Sequence, residues 1–447
     1  MVGNYFSLSR HGTTVSREIK AGIATFLTLS YILFVQPAVL SGTFLGTPTG
    51  MDFGALLTGT CLASALGTLL MALYARLPIV QAPGMGENFF FMTSLLPAAV
   101  ALGYDWQVAL AAVFFVGLLF FLLTLLGVTS RMMLVFSPSM RHGLVVGIGL
   151  FIALIGLQSS GLIVKNVVTG LELGELSASS LVFFIGLLSG GVFHAYGYKS
   201  YILWSILIAL LTALALHWIA PQEIAFLLPS QIVSLPHSLS PLFMKLDFSH
   251  LFSLEIIPLI LILLVLSVFD AVGTLIAVAK EAHLMEGEHL PRAKQALLSN
   301  SLAAMAGSLF GMSTVTSYME SLAGVEQGGR TGLSSLTVAI FFLLALFFYP
   351  LIAMIANYPL ITAPALVLVG AIMIRSVKNI DWSDYTEMLP SFLMMICIPF
   401  FFSIANGIGA GLVLYPLLKI LTGRVKELNP FNISLGGFFL AYFIFLR

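Results

Sequence analysis

Three carboxylates in this chain stand where an ordinary lipid-facing helix would not keep them. Asp270 lies deep in an apolar stretch running from about 255 to 280, within Phe269-Asp270-Ala271-Val272-Gly273-Thr274-Leu275. An ionisable group at the middle of a bilayer costs about 3 kcal/mol or more, so its presence there points to a task. Desolvation favours a protonated carboxyl and a nearby opposite charge favours the ionised one, so an acid at this depth can load and unload a proton. Glu320 follows the hydroxyl-rich run Ser313-Thr314-Val315-Thr316-Ser317-Tyr318-Met319, and Gly324 and Gly328-Gly329-Arg330-Thr331-Gly332 come after it. An extended start followed by a helix opening near Tyr318 aims free backbone N–H groups and the positive end of a helix at the centre. Glu87 belongs to Gln81-Ala82-Pro83-Gly84-Met85-Gly86-Glu87-Asn88-Phe89-Phe90-Phe91. Proline, glycines, an acid and an amide so closely spaced require protein or a water-filled cavity around them, because irregular backbone is not tolerated against lipid.

The elements that must position these groups are membrane spans. Of the 447 residues 59% are hydrophobic and 9% charged, with a mean hydropathy of +1.05, whereas a soluble domain carries about 25% charged residues. A water-soluble fold is excluded. The 19 basic and 19 acidic residues balance to zero, and no basic run with interleaved aromatics suggests nucleic acid. Cys61 and Cys397 lie in apolar stretches and form neither a disulfide framework nor a metal-ligand pattern; no metal and no cofactor are expected. Residues 1–20 are polar and lack an apolar core with a cleavage site, so the first span is expected to stay in place.

Apolar stretches fall near 19–40, 55–75, 78–98, 107–127, 140–157, 179–194 and 199–220, and again near 255–280, 294–310, 312–328, 333–356, 361–376, 385–403 and 404–421, followed by an apolar tail at 431–446. Several are shorter than the roughly 20 residues a straight span needs, which predicts half-helices or tilted packing. With the N-terminus inside, Arg76, Arg131, Arg141, Lys199, Lys280, Arg292, Arg330 and Arg375 all fall on the cytoplasmic side, while Lys165 and Lys245 fall opposite. This is the positive-inside pattern, and it predicts a multi-pass protein of the cell membrane with a cytoplasmic N-terminus. The tail fits either an interfacial helix or an extra span.

The two series echo each other. Leu62-Ala63-Ser64-Ala65-Leu66-Gly67-Thr68-Leu69 parallels Leu302-Ala303-Ala304-Met305-Ala306-Gly307-Ser308-Leu309, and each copy runs into one of the two broken segments. An odd number of spans per copy turns the copies upside down relative to each other, the inverted-repeat plan of many secondary transporters. The reading is an all-α membrane protein of about fourteen segments, with residues 1–230 as the first seven-span repeat and 231–447 as the second, and with the site where the broken segments meet.

At these segments the chain resembles the nucleobase-cation symporter family, in its adenine/guanine/hypoxanthine permease branch. The resemblance runs from Glu18-Ile19-Lys20-Ala21-Gly22 and Tyr31-Ile32-Leu33-Phe34-Val35 through Ala82-Pro83-Gly84-Met85-Gly86 and Phe269-Asp270 to Thr316-Ser317-Tyr318-Met319-Glu320-Ser321 and Gly328-Gly329-Arg330-Thr331-Gly332-Leu333. It implies a core domain that holds substrate and a gate domain that it moves against, each drawn from both repeats, with short strands in spans three and ten. It also implies that Asn88, Asp270 and Glu320 line the site. Two positions depart from the branch: it usually has an apolar residue at Glu87 and an aspartate at Ser267, one helical turn before Asp270. That moves a carboxylate and leaves the choice of purine open.

The expectation is therefore a proton-coupled purine permease. Glu320 and Asn88 would hydrogen-bond the base edge, Phe89 or a neighbouring phenylalanine would stack on its face, and Asp270 would carry the proton, with Glu87, Ser267 and Thr316 completing the site. A purine is flat, neutral and rich in donors and acceptors, which suits an acid, an amide and an aromatic plane. A pyrimidine or an anion on the same architecture is the alternative, although the midplane offers acids and no lysine or arginine. An intramembrane enzyme is disfavoured, since no paired metal ligands and no serine-histidine or cysteine-histidine arrangement is present. The coupling ion, a proton or another cation, and the assembly, with a homodimer among those open, are not fixed by sequence.

Overall fold

The computed structural model describes residues 2–445 apart from 130–135, 167, 169, 178, 220–228, 230 and 288–289. Arg131, the division at 230 and the end of the apolar tail at 446 lie outside the described residues.

Among the described residues, nine helices are long and apolar enough to cross a membrane. The first half contains Val15–Leu40, Phe53–Ala75, a broken third segment, Trp106–Leu125, Pro138–Ser159, Ser180–Ala195 and Tyr201–Ile219. The second contains Ile257–Glu281, Ala293–Leu309, a broken tenth segment, Gly332–Ala356, Pro359–Asn379, Tyr385–Phe400 and Ile404–Leu421. These segments follow the expected order. Their starts are fixed locally by side-chain caps: Asp52 accepts from the amide of Ala55, Ser137 from Met140 and Ser403 from Asn406. The first span is interrupted at Ser30 and Tyr31, between helices Val15–Leu29 and Ile32–Leu40.

Both broken segments contain a short strand. In the third, β1 (Gln81–Pro83) leads into helix Met85–Phe90, which continues to Ala101. Two further strands, β2 (Ile163–Asn166) and β3 (Gly170–Leu173), form an antiparallel hairpin between the fifth and sixth spans. In the tenth segment, β4 (Val315–Ser317) leads into helix Ser321–Glu326. β1 and β4 pair antiparallel with Gln81 opposite Ser317, Ala82 opposite Thr316 and Pro83 opposite Val315. The pairing is extended by Gly84 N–H donating to Thr314 C=O at 2.9 Å and by Tyr318 N–H donating to Val80 C=O at 3.0 Å. Extended backbone in the bundle interior thereby finds its hydrogen bonds.

The spans pack as two bodies. Spans one to four pack with eight to eleven, and spans five to seven with twelve to fourteen. Small residues let the helices close. A Cβ at Gly370 would strike the Gly149 carbonyl in the second body, and one at Gly332 would strike the Ala72 carbonyl in the first. Helix Pro430–Phe445 packs against the fourteenth span, its Phe439 and Phe443 rings filling the space over Gly409.

Glu18, fully buried at the start of the first span, ties that span to the eleventh. Its Oε1 accepts from Arg330 N–H at 2.9 Å, and its Oε2 accepts from Thr331 N–H at 3.3 Å and Ser334 N–H at 3.2 Å. The carboxylate satisfies free donors at a helix start and complements its dipole. Glu18→Ala should therefore destabilise the protein by about 2 kcal/mol or more through unsatisfied buried N–H groups, lowering Tm in detergent, while Glu18→Gln should cost less. An unchanged Tm for Glu18→Ala would show that this junction is held by packing alone.

Candidate functional site

Because β1 and β4 run antiparallel, the helices that follow them leave in opposite directions and both begin at the centre. Met85 and Gly86 open one, and Glu320 caps the other. A cavity of about 430 Å³ lies against these two beginnings, between the two bodies. The first body supplies its polar wall: Tyr31, Glu87, Asp270, Thr316, Tyr318 and Glu320. The second supplies a largely apolar wall of Leu144, Val145, Ile148, Val369, Ile372 and Met373, together with the polar side chains of His194, Lys199 and Tyr201.

Each carboxylate is held differently. Glu320, half-buried, accepts from the Tyr31 hydroxyl at 2.9 Å, so the break in the first span serves the tenth. Glu87 is buried, with its carboxylate folded back over Gly84, where any Cβ would strike its Oε2, and its Oε1 has no partner. Asp270 is half-buried on the eighth span near Thr316, whose buried hydroxyl has no hydrogen-bond partner among the described residues. Tyr318 donates to the Pro83 carbonyl and fixes its ring across the strand pair. Below the strands, Gln81 Nε2 donates to Asn300 Oδ1 at 2.6 Å, and Asn300 Nδ2 donates to Ser317 Oγ at 3.2 Å.

The structure brings Glu87, Asp270, Thr316 and Glu320 together around one cavity and sets three other expected residues apart. Asn88 is fully buried behind the wall, its amide donating to Gln36 Oε1 and accepting from Ser313 Oγ. That amide is already occupied in joining the first, third and tenth segments. Phe89 is also fully buried, packing edge-on against Phe151, which in turn packs against Phe402. It seals the two bodies together rather than offering a ring face to the cavity. Ser267 is buried on the eighth span and is not among the cavity-lining residues. Sequence reasoning missed Tyr31 and the apolar wall. Tyr31 lies in the motif that carried the family resemblance, but nothing local links it to Glu320; the wall residues are indistinguishable from other apolar helix positions.

The cavity reaches exposed residues at one end, where Lys199 of the second body and Glu326 of the first form an ion pair at 3.0 Å. Lys199 is the one lysine or arginine among the described lining residues. Near the opposite end, the Ser94 and Ser403 hydroxyls meet at 3.2 Å across the two bodies.

A two-body helical bundle with crossed half-helices around a central cavity is the architecture of a secondary transporter. A model of the Permease family matches residues 16–410, and the chain belongs to that family. It is a multi-pass membrane transporter, not an enzyme. It is 36% identical to the adenine permease AdeP of Escherichia coli, covering 100% of this chain and 96% of that one. It is 37% identical to the guanine/hypoxanthine permease PbuG of Bacillus subtilis, covering 99% of each. Its fold is that of the transmembrane domain of the cyanobacterial bicarbonate transporter BicA, with a TM-score of 0.60 at 14% identity, covering 87% of this chain and 96% of that one.

The placement of Asn88 has a direct test. Asn88→Ala strands two buried partners at a cost of about 1–3 kcal/mol each, so Tm in detergent should fall clearly, whereas Thr316→Val should leave Tm nearly unchanged. An Asn88→Ala protein with the parent Tm would mean that the amide does not anchor the three segments.

Proposed function

We propose that this chain transports purine nucleobases, coupled to protons, and that the base lies between the polar wall of the first body and the apolar wall of the second. The observation that carries this reading is the convergence of Glu87, Asp270 and Glu320 on one cavity whose opposite wall is largely aliphatic. A flat heterocycle fits that asymmetry: its faces are apolar, and its edge carries N–H donors that carboxylates accept. Glu320, held by Tyr31, is the edge ligand in this reading, and the lining rings of Tyr318, Phe269 and Tyr201 are available for stacking. The relatives named for adenine, guanine and hypoxanthine support a purine. An anion, the kind of solute for which the bicarbonate transporter is named, fits poorly among three acids with Lys199 already paired at the rim.

Proton coupling follows from the same cluster. Three negative charges sharing a cavity repel one another strongly away from bulk water, so a proton held among them and released on the far side offers a natural coupling ion. Asp270 is the proposed carrier because it sits on the continuous eighth span rather than on a half-helix. In the orientation assigned by the lysine and arginine distribution, the Lys199 end faces the cytoplasm. The cavity is then open inward, in the cell membrane, with the N-terminus on the same side.

Glu320→Gln replaces an acceptor with a donor facing a donor, and should weaken purine binding by about 2 kcal/mol without loss of protein from the membrane. A competition panel of unlabelled adenine, guanine, hypoxanthine and uracil against labelled-base uptake identifies the solute. Normal uptake by a well-expressed Glu320→Gln protein would remove that residue from the site, and no base competing would overturn the substrate class.

Asp270→Asn should abolish accumulation against a gradient while leaving base exchange measurable in the same vesicles. Equal loss of exchange and accumulation would make Asp270 a substrate ligand instead, and uptake that still follows an imposed pH gradient would dismiss it as the proton carrier.

A further inference from the structure

A second cavity, of about 280 Å³, lies at the end of the first body where the second, eighth and tenth segments emerge. Arg10, His11, Arg76, His283, Arg292 and Arg330 line it, and Glu286 is the one carboxylate among the described lining residues. These basic side chains come from the N-terminal segment, the end of the second span, the turn after the eighth, the residue before the ninth and the loop after the tenth. They are brought together by the fold, not by a charged run in sequence. The transport cavity shares none of them.

Like charges gathered in a concave site repel unless something offsets them, and the protein offsets little of this charge. The Arg76 guanidinium lies 4.2 Å from the centre of the Tyr5 ring, and its buried Nε has no acceptor. The Arg330 Nη1 donates to the carbonyls of Val325 and Gly329, while the carboxylate beside the residue, that of Glu18, accepts from its backbone N–H. Arg10 meets Glu286 only at 4.0 Å, and both are largely exposed. Burial and the Arg10 charge together push His11 below the ordinary imidazole value, against a smaller opposing pull from Glu18.

The backbone is special at the same place. Six described residues other than glycine have positive φ, and four of them line this cavity: Ser7 at 53°, Arg76 at 59°, His283 at 53° and Arg292 at 63°. Such conformations are uncommon for residues with a Cβ and gather where a site is being shaped.

We propose that this cavity binds a phosphoryl group, carried either by a small soluble phosphate ester or by a phospholipid headgroup. Guanidinium forks match phosphate oxygens in geometry and charge, and phosphate offers acceptors to a cluster in which Arg76 has an unpartnered Nε and the only carboxylate among the described lining residues is Glu286. The bound group would tie the N-terminal segment to the loops that follow the Asp270 span and the Glu320 half-helix. It would do so wholly within the first body and whatever solute the transporter carries.

The experiment uses the purified full-length protein. In detergent, Tm and isothermal titration are measured with sodium phosphate and with AMP, against sodium chloride at matched ionic strength. In nanodiscs, Tm is compared in phosphatidylcholine with and without phosphatidic acid. The expected result is stabilisation that Arg292→Gln or His283→Gln, both exposed positions, weakens about tenfold in affinity, that Arg76→Gln with Arg292→Gln removes, and that Lys199→Gln leaves intact. Such stabilisation by phosphate or AMP assigns a soluble ester, and the same pattern with phosphatidic acid alone assigns a headgroup. Absence of stabilisation in both arms, or stabilisation unchanged in Arg292→Gln and His283→Gln, overturns the proposal.

Discussion

The structure depends on one requirement, that backbone leaving the helical state inside the bundle must still pair every N–H and C=O it buries. β1 and β4 meet that requirement for each other. Their antiparallel pairing sends the two following half-helices outward from a common centre and fixes where Glu87, Thr316 and Glu320 must stand. Polar groups from neighbouring spans hold the pair in place: Thr68 accepts from and donates to the Gln81 backbone, and Asn300 links Gln81 to Ser317. The cluster of acids is thus a consequence of backbone pairing.

The two cavity walls differ in kind, and that difference suits relative motion. Around the strand pair the first body is held by buried hydrogen bonds, whereas the second body presents mostly aliphatic side chains and methionine to the cavity, with His194, Lys199 and Tyr201 as its polar members. A wall of this sort can slide or tilt without stranding donors and acceptors, since dispersion contacts re-form in many registers while buried polar bonds do not. The polar contacts between the bodies lie at the margins, at Lys199 with Glu326 and at Ser94 with Ser403. An exposed ion pair of that type contributes about 0–1 kcal/mol, small enough to be broken and remade in each cycle.

Much of this was legible in the sequence, and physical reasons separate it from what was not. Span order followed from hydropathy, and the broken segments announced themselves through Pro83, Gly84, Gly86 and the hydroxyl run before Tyr318. Asp270 and Glu320 stood out because a carboxylate among apolar residues is costly to bury without a task. The direction of adjacent side chains did not: successive helical residues point about 100° apart, so Glu87 can face the cavity while Asn88 faces Gln36, a partner 52 positions away. Phe89 follows the same rule and turns to Phe151. The arginines at 76, 292 and 330 read in sequence as an orientation signal, and Arg330 also as part of the resemblance motif, but nothing in the chain order shows that they share a cavity.

The β1–β4 pair also sets an order of events during synthesis. Gln81 reaches its partner Ser317 only after more than half the chain has followed it into the membrane. Until then the first half must shelter an extended segment with unpaired backbone groups, a state that apolar surroundings penalise. Contacts between residues so distant in sequence form late and slowly. The nascent first repeat is therefore the stage at which this protein is most exposed to mispairing and to quality-control proteases, and the burden falls on the helices flanking β1 to keep that segment covered while the ribosome completes the second repeat.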